Sequence, residues 1–293
     1  MGVPATLGPV LVIGASGMLA RAFAELLTRE GLSFSAIDLP EIDLTDEASI
    51  ERCVTPEWRT VLNCAAFTDV DGSETREALA NAINGSGVTA LARRCAATGA
   101  MLVHYSTDYV FDGVASEPYR VDQPRAPLNA YGRSKALGEQ GIEQSGGRYL
   151  LIRTSWLYAP WGKNFVLTMR RLMRAGKPLK VVCDQMGRPT SAQYLAERSI
   201  ALLRAGATGT FHVTDGGQCS WHEFAVRIGE LIGTKIEVKP CTTAEYSADY
   251  PAQALRPTYS VLDLAKTDAL LGPSREWQKN LADVLAAVPP DHA

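Results

Sequence analysis

Val10-Leu-Val-Ile-Gly14-Ala-Ser-Gly17-Met-Leu-Ala20 carries the strongest structural signal in this chain of 293 residues. The apolar run Val10–Ile13, rich in β-branched residues, predicts a buried parallel strand. Gly14 permits a tight turn after the strand, and Gly17 lets the backbone approach a pyrophosphate. The N-terminus of the helix that follows attracts such an anion, and the small Ala20 allows close packing. The stretch therefore predicts a dinucleotide-binding turn, with an ordinary glycine-rich strand–helix turn as the alternative.

Strands and helices alternate beyond this turn. The predicted strands of the first half are Phe34–Ile37, Val61–Ala65, Met101–Tyr105 and Leu150–Arg153. The predicted helices are Met18–Glu30, a short helix capped by Thr45, the long stretch Ala78–Thr98, and Ala130–Gln144. This alternation predicts an α/β fold, a doubly wound parallel-sheet Rossmann domain whose ligands bind beyond the carboxyl ends of the strands.

The second half of the chain is less regular. Its predicted helices are Phe165–Ala175, Gln193–Ala205, Trp221–Ile232 and Leu281–Val288, and its predicted strands are Leu179–Val182 and Gly209–Val213. Thr242–Thr258 shows little periodicity and is expected to be a loop. We expect residues 1–155 with 190–217 to form the dinucleotide-binding domain. Residues 156–189 with 218–293 are expected to form a smaller, interleaved substrate-binding lobe.

Asp38 follows the second predicted strand, where a carboxylate typically binds the ribose hydroxyls of adenosine. Because a carboxylate repels a 2′-phosphate, Asp38 slightly favours NAD(H) over NADP(H), although Arg21 offers a compensating charge. The expected cofactor is therefore NAD(H) or NADP(H). A solvated loop acid is the alternative interpretation of Asp38.

Three residues predict a proton-transfer site. Thr107 ends the predicted strand Met101–Tyr105, and Tyr131 and Lys135 lie one turn apart on the same face of a predicted helix. A nearby ammonium favours the phenolate and is expected to lower the pKa of Tyr131. We expect Thr107 to donate a hydrogen bond to a substrate oxygen while Tyr131 supplies the proton in ketone reduction. The alternatives are a turn cap for Thr107 and a surface pair for Tyr131 and Lys135.

Composition excludes several classes of protein. The chain is 46% hydrophobic and 21% charged with a net charge of −3, and it has no basic run, so no nucleic-acid partner is expected. No apolar run is long enough to span a membrane, and no signal peptide is evident. The six cysteines are scattered, which favours a cytoplasmic protein. The four histidines lack metal-ligand spacing, so no metal site is expected.

Longer motifs carry a resemblance to a known family. They are Asn63-Cys-Ala-Ala-Phe-Thr-Asp-Val-Asp-Gly-Ser-Glu74, His104-Tyr-Ser-Thr-Asp-Tyr-Val-Phe-Asp-Gly113, Tyr131-Gly-Arg-Ser-Lys-Ala-Leu-Gly-Glu139, Arg153-Thr-Ser-Trp-Leu-Tyr158, Asn164-Phe165 and Asp184-Gln-Met-Gly-Arg-Pro-Thr190. Over about residues 8–285 the chain resembles extended short-chain dehydrogenases/reductases and, among them, the dTDP-4-dehydrorhamnose reductase family. The string that contains Ser106-Thr-Asp-Tyr-Val-Phe is long and specific, whereas Tyr-x-x-x-Lys is common to the superfamily.

The resemblance implies a role for each matching position. The catalytic positions it implies are Thr107, Tyr131 and Lys135. The cofactor positions it implies are Gly14, Ser16, Gly17, Met18, Leu19, Asp38, Asp43, Leu44, Ala65, Ala66, Phe67, Tyr105, Tyr131 and Lys135. The substrate positions it implies are Thr107, Asp108, Tyr131 and Trp156, with a packing aromatic as the alternative for Trp156. The implied reaction reduces the C4 ketone of dTDP-4-dehydro-L-rhamnose to dTDP-L-rhamnose.

Three departures from the family pattern stand out: Ala20 replaces a common glycine, Asp69 replaces a small residue, and Gln193 lies where some members carry a glutamate of a magnesium-linked dimer. Asp69 predicts a more acidic site edge, and Gln193 argues against a magnesium-bridged dimer; a monomer or a homodimer is expected. Two alternatives stay open. One is a non-catalytic, cofactor-binding regulatory subunit like the methionine adenosyltransferase β subunit. The other is another nucleotide-sugar epimerase, reductase or dehydratase.

Overall fold

The computed structural model describes residues 7–249, 251 and 254–289. Its strands are β1 (Val10–Ile13), β2 (Phe34–Ile37), β3 (Thr60–Asn63), β4 (Met101–Thr107), β5 (Tyr149–Thr154), β6 (Leu157–Tyr158), β7 (Leu179–Val182), β8 (Met186–Gly187), β9 (Thr190–Ser191), β10 (Gly209–His212), β11 (Cys219–Ser220) and β12 (Val238–Cys241). Its α-helices are α1 (Met18–Arg29), α2 (Glu47–Cys53), α3 (Val70–Thr75), α4 (Glu77–Asn81), α5 (Val88–Thr98), α6 (Ala130–Gln144), α7 (Phe165–Arg174), α8 (Ala192–Arg204), α9 (Trp221–Leu231), α10 (Thr243–Asp249), α11 (Ala265–Leu271) and α12 (Trp277–Ala287).

The central sheet has six parallel strands in the order β10-β5-β4-β3-β1-β2. The chain runs outward from β1 to β2 on one side and from β3 through β4 and β5 to β10 on the other. The strand order therefore reverses between β1 and β3, and a crevice opens there beyond the carboxyl ends of the strands. The prediction of an α/β, doubly wound parallel sheet is confirmed.

Both faces of the sheet are covered, which explains why β1 is apolar throughout. Val10 and Val12 pack into one core with α1 and α8, whereas Leu11 and Ile13 pack into a second core with α5. All four residues are buried. Side chains alternate between the faces of a strand, so a strand covered on both sides needs apolar residues at every position.

A third apolar cluster lies apart from the sheet. It is built from α7, β7, α9 and α12, and Phe224 lies in it with no exposed surface. All of these elements belong to the predicted segments 156–189 and 218–293. The division into two parts stays a prediction, and the ends of its segments, residues 1–6 and 290–293, lie outside the described residues.

The long helix predicted over Ala78–Thr98 is interrupted. Between α4 and α5 the backbone widens into a π-helix over Ala82–Gly87. This turn buries Asn84, whose amide accepts from the Phe67 N–H and donates to the Phe67 carbonyl, both at 2.9 Å. The interruption thus ties the helix to the loop after β3, a contact that helical periodicity does not reveal.

Other predicted boundaries are corrected. The N-cap of α2 is Asp46, which accepts from the Ala48 N–H, whereas the Thr45 hydroxyl donates to Asp43. The predicted loop Thr242–Thr258 contains α10, which begins with a reciprocal bond pair between Thr242 and Glu245. The pattern Thr-x-x-Glu is a sequence signal for that start. Three residues of that predicted loop, at 250, 252 and 253, lie outside the described residues. α11 was not expected, β3 ends at Asn63 rather than Ala65, and α12 begins at Trp277 rather than Leu281.

Candidate active site

A cavity of about 660 Å³ opens at the carboxyl ends of the central strands. Most of the predicted site residues line it: Gly14, Ser16, Gly17, Met18, Leu19, Asp38, Asp43, Leu44, Ala65, Ala66, Tyr105, Thr107, Asp108, Tyr131, Lys135 and Trp156. Phe67 is not part of the cavity wall; its backbone is bonded to Asn84, and the guanidinium of Arg76 covers its ring. The cavity therefore brings together residues from the strand ends and from the segment that contains Trp156.

The glycine-rich turn forms one end of the cavity. Gly14 has φ +88°, and a Cβ there would lie 2.7 Å from the Ala65 nitrogen, so only glycine fits between β1 and the loop after β3. Gly17 occupies the N-cap position of α1 and has no side chain to bond the N–H groups of the first helical turn. Those N–H groups suit an anionic group of a ligand. Ala20 is buried, as the predicted close packing of this helix requires.

Asp38 lies against the turn. Its carboxylate accepts hydrogen bonds from the Ser16 N–H at 2.9 Å, the Ser16 hydroxyl at 2.6 Å and the Leu39 N–H at 2.9 Å. Partial burial opposes ionisation, but these bonds prevail and lower the pKa of Asp38. The carboxylate is therefore ionised at neutral pH and fixed beside the turn, where it can accept from vicinal hydroxyl groups.

Asp43 belongs to the same end of the cavity, but Thr45 already occupies its carboxylate. The N–H and the hydroxyl of Thr45 both donate to it at 2.8 Å and lower its pKa. Leu44 is buried beside it. Both Thr45 bonds reach Oδ1 of Asp43, and the carboxylate stays ionised on the cavity wall beside Leu44.

Asp69, the residue expected to make the site edge more acidic, is not part of the cavity wall. It caps α3 by accepting from the Gly72 N–H and forms an ion pair with Arg76 at 2.6 Å. Its charge is thus balanced on the surface.

Thr107, Asp108 and Tyr131 form another part of the cavity wall. The Thr107 hydroxyl donates to Asp108 at 2.9 Å and accepts from the Tyr109 N–H at 3.1 Å. Tyr131 lines the same cavity, and its ring packs edge-on against that of Tyr109, which follows Asp108 in the chain. Burial raises the pKa of Asp108 to about 6. Thr107 and Asp108 thus form a buried, hydrogen-bonded pair in a cavity that the half-buried Tyr131 also lines.

Tyr131 and Lys135 share one face of α6, which begins at Asn129 with a side-chain cap on the Gly132 N–H at 2.8 Å. The expected lowering of the Tyr131 pKa by Lys135 is not found. Burial and the Asp108 carboxylate raise the pKa of Tyr131, against the opposing bond from Thr107. The Lys135 Nζ has other partners, the Tyr105 carbonyl and the His104 ring. The Lys135 Nζ donates to the Tyr105 carbonyl at 2.6 Å, and burial lowers the pKa of Lys135 to about 8.

Two tryptophans, Trp156 and Trp221, also line the cavity. Trp156 stacks on Trp221 with ring centroids 3.6 Å apart and planes 10° from parallel. Trp156 holds this position with φ +47°, an uncommon backbone conformation for a large residue. The sequence did not mark Trp221 as a site residue, although the capping box between Ser220 and Glu223 marks it as the first residue of α9.

Further cavity residues were not singled out from the sequence, among them Asn63, Tyr109 and Lys163. Lys163 is exposed and precedes α7, so it places a positive charge on the wall. Within the described ranges no cluster of three metal-ligating side chains occurs. None of the helices built from those residues is long and apolar enough to cross a membrane.

The chain is similar to known proteins over almost its whole length. Residues 8–289 match the model of the family described as RmlD substrate binding domain. A dTDP-4-dehydrorhamnose reductase from Streptomyces griseus is 40% identical over 288 residues, covering 95% of this chain and 93% of the relative. A dTDP-4-keto-6-deoxy-D-glucose reductase from Streptomyces niveus is 37% identical and covers 97% and 98%. The crystal structure of a dTDP-4-dehydrorhamnose reductase from Bacillus anthracis in complex with NADP has a TM-score of 0.90 at 35% identity and covers 94% and 98%.

Proposed function

This chain belongs to the RmlD substrate binding domain family, and from this membership we propose that it reduces the C4 ketone of a nucleotide-activated 6-deoxyhexose with NAD(P)H. The most specific form of the proposal is the conversion of dTDP-4-dehydro-L-rhamnose to dTDP-L-rhamnose. One observation carries it: the cavity that contains the glycine-rich turn and the N-terminus of α1 also contains Thr107, Asp108 and Tyr131.

The turn and its neighbours fit a nicotinamide dinucleotide. The space beside Gly14 and the N-terminus of α1 suits the pyrophosphate, and Asp38 suits the ribose hydroxyls. When bound, the nicotinamide supplies the hydride for the ketone carbon. Because ionised Asp38 would lie near a 2′-phosphate, we propose that NADH is used in preference to NADPH.

Tyr131 is the proposed proton donor. The phenol is protonated at neutral pH and so has a proton to give to a developing alkoxide. Burial and the Asp108 charge raise its pKa and oppose this transfer, so a group that stabilises the phenolate is needed. Thr107 lines the same cavity as this phenol, and its hydroxyl is proposed to donate to the substrate oxygen beside Tyr131. The single hydroxyl proton of Thr107 is donated to Asp108 in this structure, so the hydroxyl must turn away from Asp108 to donate to the substrate oxygen.

Lys135 is proposed to act from the floor of the same cavity. The Tyr105 carbonyl anchors its Nζ, and the remaining N–H groups can serve the cofactor ribose or the phenolate that forms when Tyr131 loses its proton. Lys135 is therefore proposed to act after proton transfer, when a negative charge develops on the Tyr131 oxygen.

The stacked Trp156 and Trp221 are proposed to bind the sugar nucleotide. Their flat apolar surfaces suit the less polar face of a deoxysugar or a base. Lys163 on the cavity wall is placed to balance the charge of the diphosphate. Neither feature distinguishes the two sugars named for the Streptomyces relatives.

We also propose that the protein works in the cytoplasm as a monomer or a homodimer. The six cysteines are all free, in keeping with a reducing compartment. Gln193 is engaged with the Ser191 hydroxyl at 3.2 Å, which does not favour a magnesium-bridged dimer. A nucleotide sugar is the partner that the family membership supports.

The test is an NADH and NADPH oxidation assay with dTDP-4-dehydrorhamnose and dTDP-4-keto-6-deoxy-D-glucose, with Tyr131→Phe as the matched variant. We expect turnover of at least one sugar and a loss on the order of 10² to 10⁴ in kcat for Tyr131→Phe. Binding of NADH without turnover of any nucleotide 4-keto sugar would support the regulatory-subunit alternative instead. Full activity of Tyr131→Phe would refute its role as proton donor.

A further inference from the structure

Two buried polar residues, Asn63 and His104, lie behind Lys135 and have no role in the proposed proton transfer. Asn63 at the end of β3, His104 in β4 and Lys135 in α6 are each 1% exposed. The Asn63 Nδ2 is 3.0 Å from the His104 Nδ1, and the His104 Nε2 is 3.2 Å from the Lys135 Nζ. A buried imidazole thus bridges a backbone-anchored amide and the lysine of the site.

The direction of these contacts follows from the donors. The Asn63 Oδ1 accepts from the Ala65 N–H at 3.2 Å, which leaves its Nδ2 as the group facing His104. An amide Nδ2 only donates, so the His104 Nδ1 must accept and carry no proton. A neutral imidazole then has its single proton on Nε2, the nitrogen that faces Lys135.

This arrangement suits only one charge state of the lysine. An Nε2–H bond needs an acceptor, and a lysine nitrogen is an acceptor only as the neutral amine. An ammonium would instead need an Nε2 that carries no proton, so the imidazole proton would be on Nδ1. That form requires the Asn63 amide to turn and present Oδ1, which gives up the bond from the Ala65 N–H.

We propose that His104 is a positioning residue that couples the charge on Lys135 to the tautomer of its own ring. With the amine, the imidazole proton is on Nε2. With the ammonium, the imidazole proton is on Nδ1 and Asn63 has turned. Lys135 takes one proton from solvent in this change, while the imidazole loses one at Nε2 and gains one at Nδ1, so the ring stays neutral. The inference rests on the proposed function, because Lys135 is taken to stabilise the Tyr131 phenolate.

The surrounding charges agree with a lysine that titrates and a histidine that does not. Burial, followed by the neighbouring Lys135 charge, lowers the pKa of His104 well below its usual value. Burial lowers the pKa of Lys135 to about 8, opposed by Glu139 one turn further along α6. Glu139 is itself paired with Arg153 from β5 and with Arg125. The charges of Glu139, Arg153 and Arg125 are thus paired with one another.

The direct test is two-bond ¹H–¹⁵N NMR of the ¹⁵N-histidine-labelled, cofactor-free protein from about pH 6.5 to about pH 9.5. His104→Phe identifies the His104 signals, or His104→Gln if the phenylalanine variant does not fold. We expect a neutral ring throughout, protonated on Nε2 at the alkaline end and on Nδ1 at the acidic end. One unchanged tautomer across the range, or a doubly protonated ring, would overturn the proposal. This readout needs no turnover, so it fails or succeeds independently of the reductase assignment.

A double-mutant cycle tests the consequence for catalysis. In Asn63→Asp the carboxylate only accepts, which holds the proton on Nδ1 and leaves Nε2 bare for an ammonium. We expect the alkaline limb of the kcat/KM profile to move up by about one pH unit, a tenfold change in proton affinity. In a His104→Phe background the same substitution is expected to leave the limb in place. An equal shift in both backgrounds would mean that the aspartate acts by charge alone and would refute the coupling.

Discussion

Replacing Gly14 by alanine tests the turn that begins the fold. The structure separates two costs of this change. The backbone at φ +88° costs an L-residue roughly 1–2 kcal/mol, and the new Cβ would lie only 2.7 Å from the Ala65 nitrogen. Relieving such an overlap by moving β1 from the following loop costs typically another 1–3 kcal/mol. We expect Gly14→Ala to lower the free energy of unfolding by about 2–5 kcal/mol.

Gly31→Ala is the matched control. Gly31 also has a left-handed backbone, at φ +67°, but nothing lies within 4 Å of a Cβ placed there. This variant therefore measures the backbone cost alone, about 1–2 kcal/mol. Urea unfolding followed by tryptophan fluorescence gives both values. NADH titration should show at least a tenfold weaker Kd for Gly14→Ala and an unchanged Kd for Gly31→Ala. Equal stabilities and equal affinities in the two variants would refute the close contact at Gly14.

Three further changes probe other parts of the site. Asp38→Ser should raise kcat/KM for NADPH relative to NADH by about tenfold, because it removes a negative charge beside the proposed 2′-phosphate position; an unchanged ratio would contradict that placement. Lys163→Ala should raise KM for the nucleotide sugar several-fold with little change in kcat, and an equal loss in kcat would place the lysine in the chemical step instead. Glu139→Gln should cost about 3 kcal/mol of stability at pH 7, because it leaves the Arg153 guanidinium buried and unpaired. The Glu139 carboxyl has a lowered pKa in the folded state, so its contribution is complete above the unfolded value of about 4.3 and is lost as the pH falls below it. Urea unfolding should therefore show the difference between wild type and Glu139→Gln shrinking in acid, and a difference independent of pH would be inconsistent with this pairing.

The sequence revealed the site where the signal was local. The turn from Gly14 to Ala20 and the helical spacing of Tyr131 and Lys135 depend only on neighbours within a few residues. Parallel strands end at the same edge of a sheet, so the carboxyl ends of β1 and β4 were expected to meet there. The cavity formed by these elements agrees with that expectation.

Contacts between distant segments could not be predicted from local sequence patterns. The stacking of Trp156 on Trp221 joins the end of β5 to the start of α9. The contact of Lys135 with His104 depends on the packing of α6 against β4. Neither pair has a spacing that helical or strand periodicity would mark. The π-helix that brings Asn84 to Phe67 likewise reflects a tertiary contact rather than the local helix propensity of its residues.

By itself, the sequence determined the α/β alternation, the glycine-rich turn after β1 and the helical spacing of Tyr131 and Lys135, because each follows from chain geometry over short distances. Only the tertiary structure decided what those residues do to one another. Helical spacing put a lysine beside a tyrosine, but packing turned that lysine toward the Tyr105 carbonyl and His104. Burial then raised the pKa of Tyr131 and lowered that of Lys135. Ionisation depends on solvent exclusion and on the direction of each hydrogen bond, and both are properties of the folded molecule.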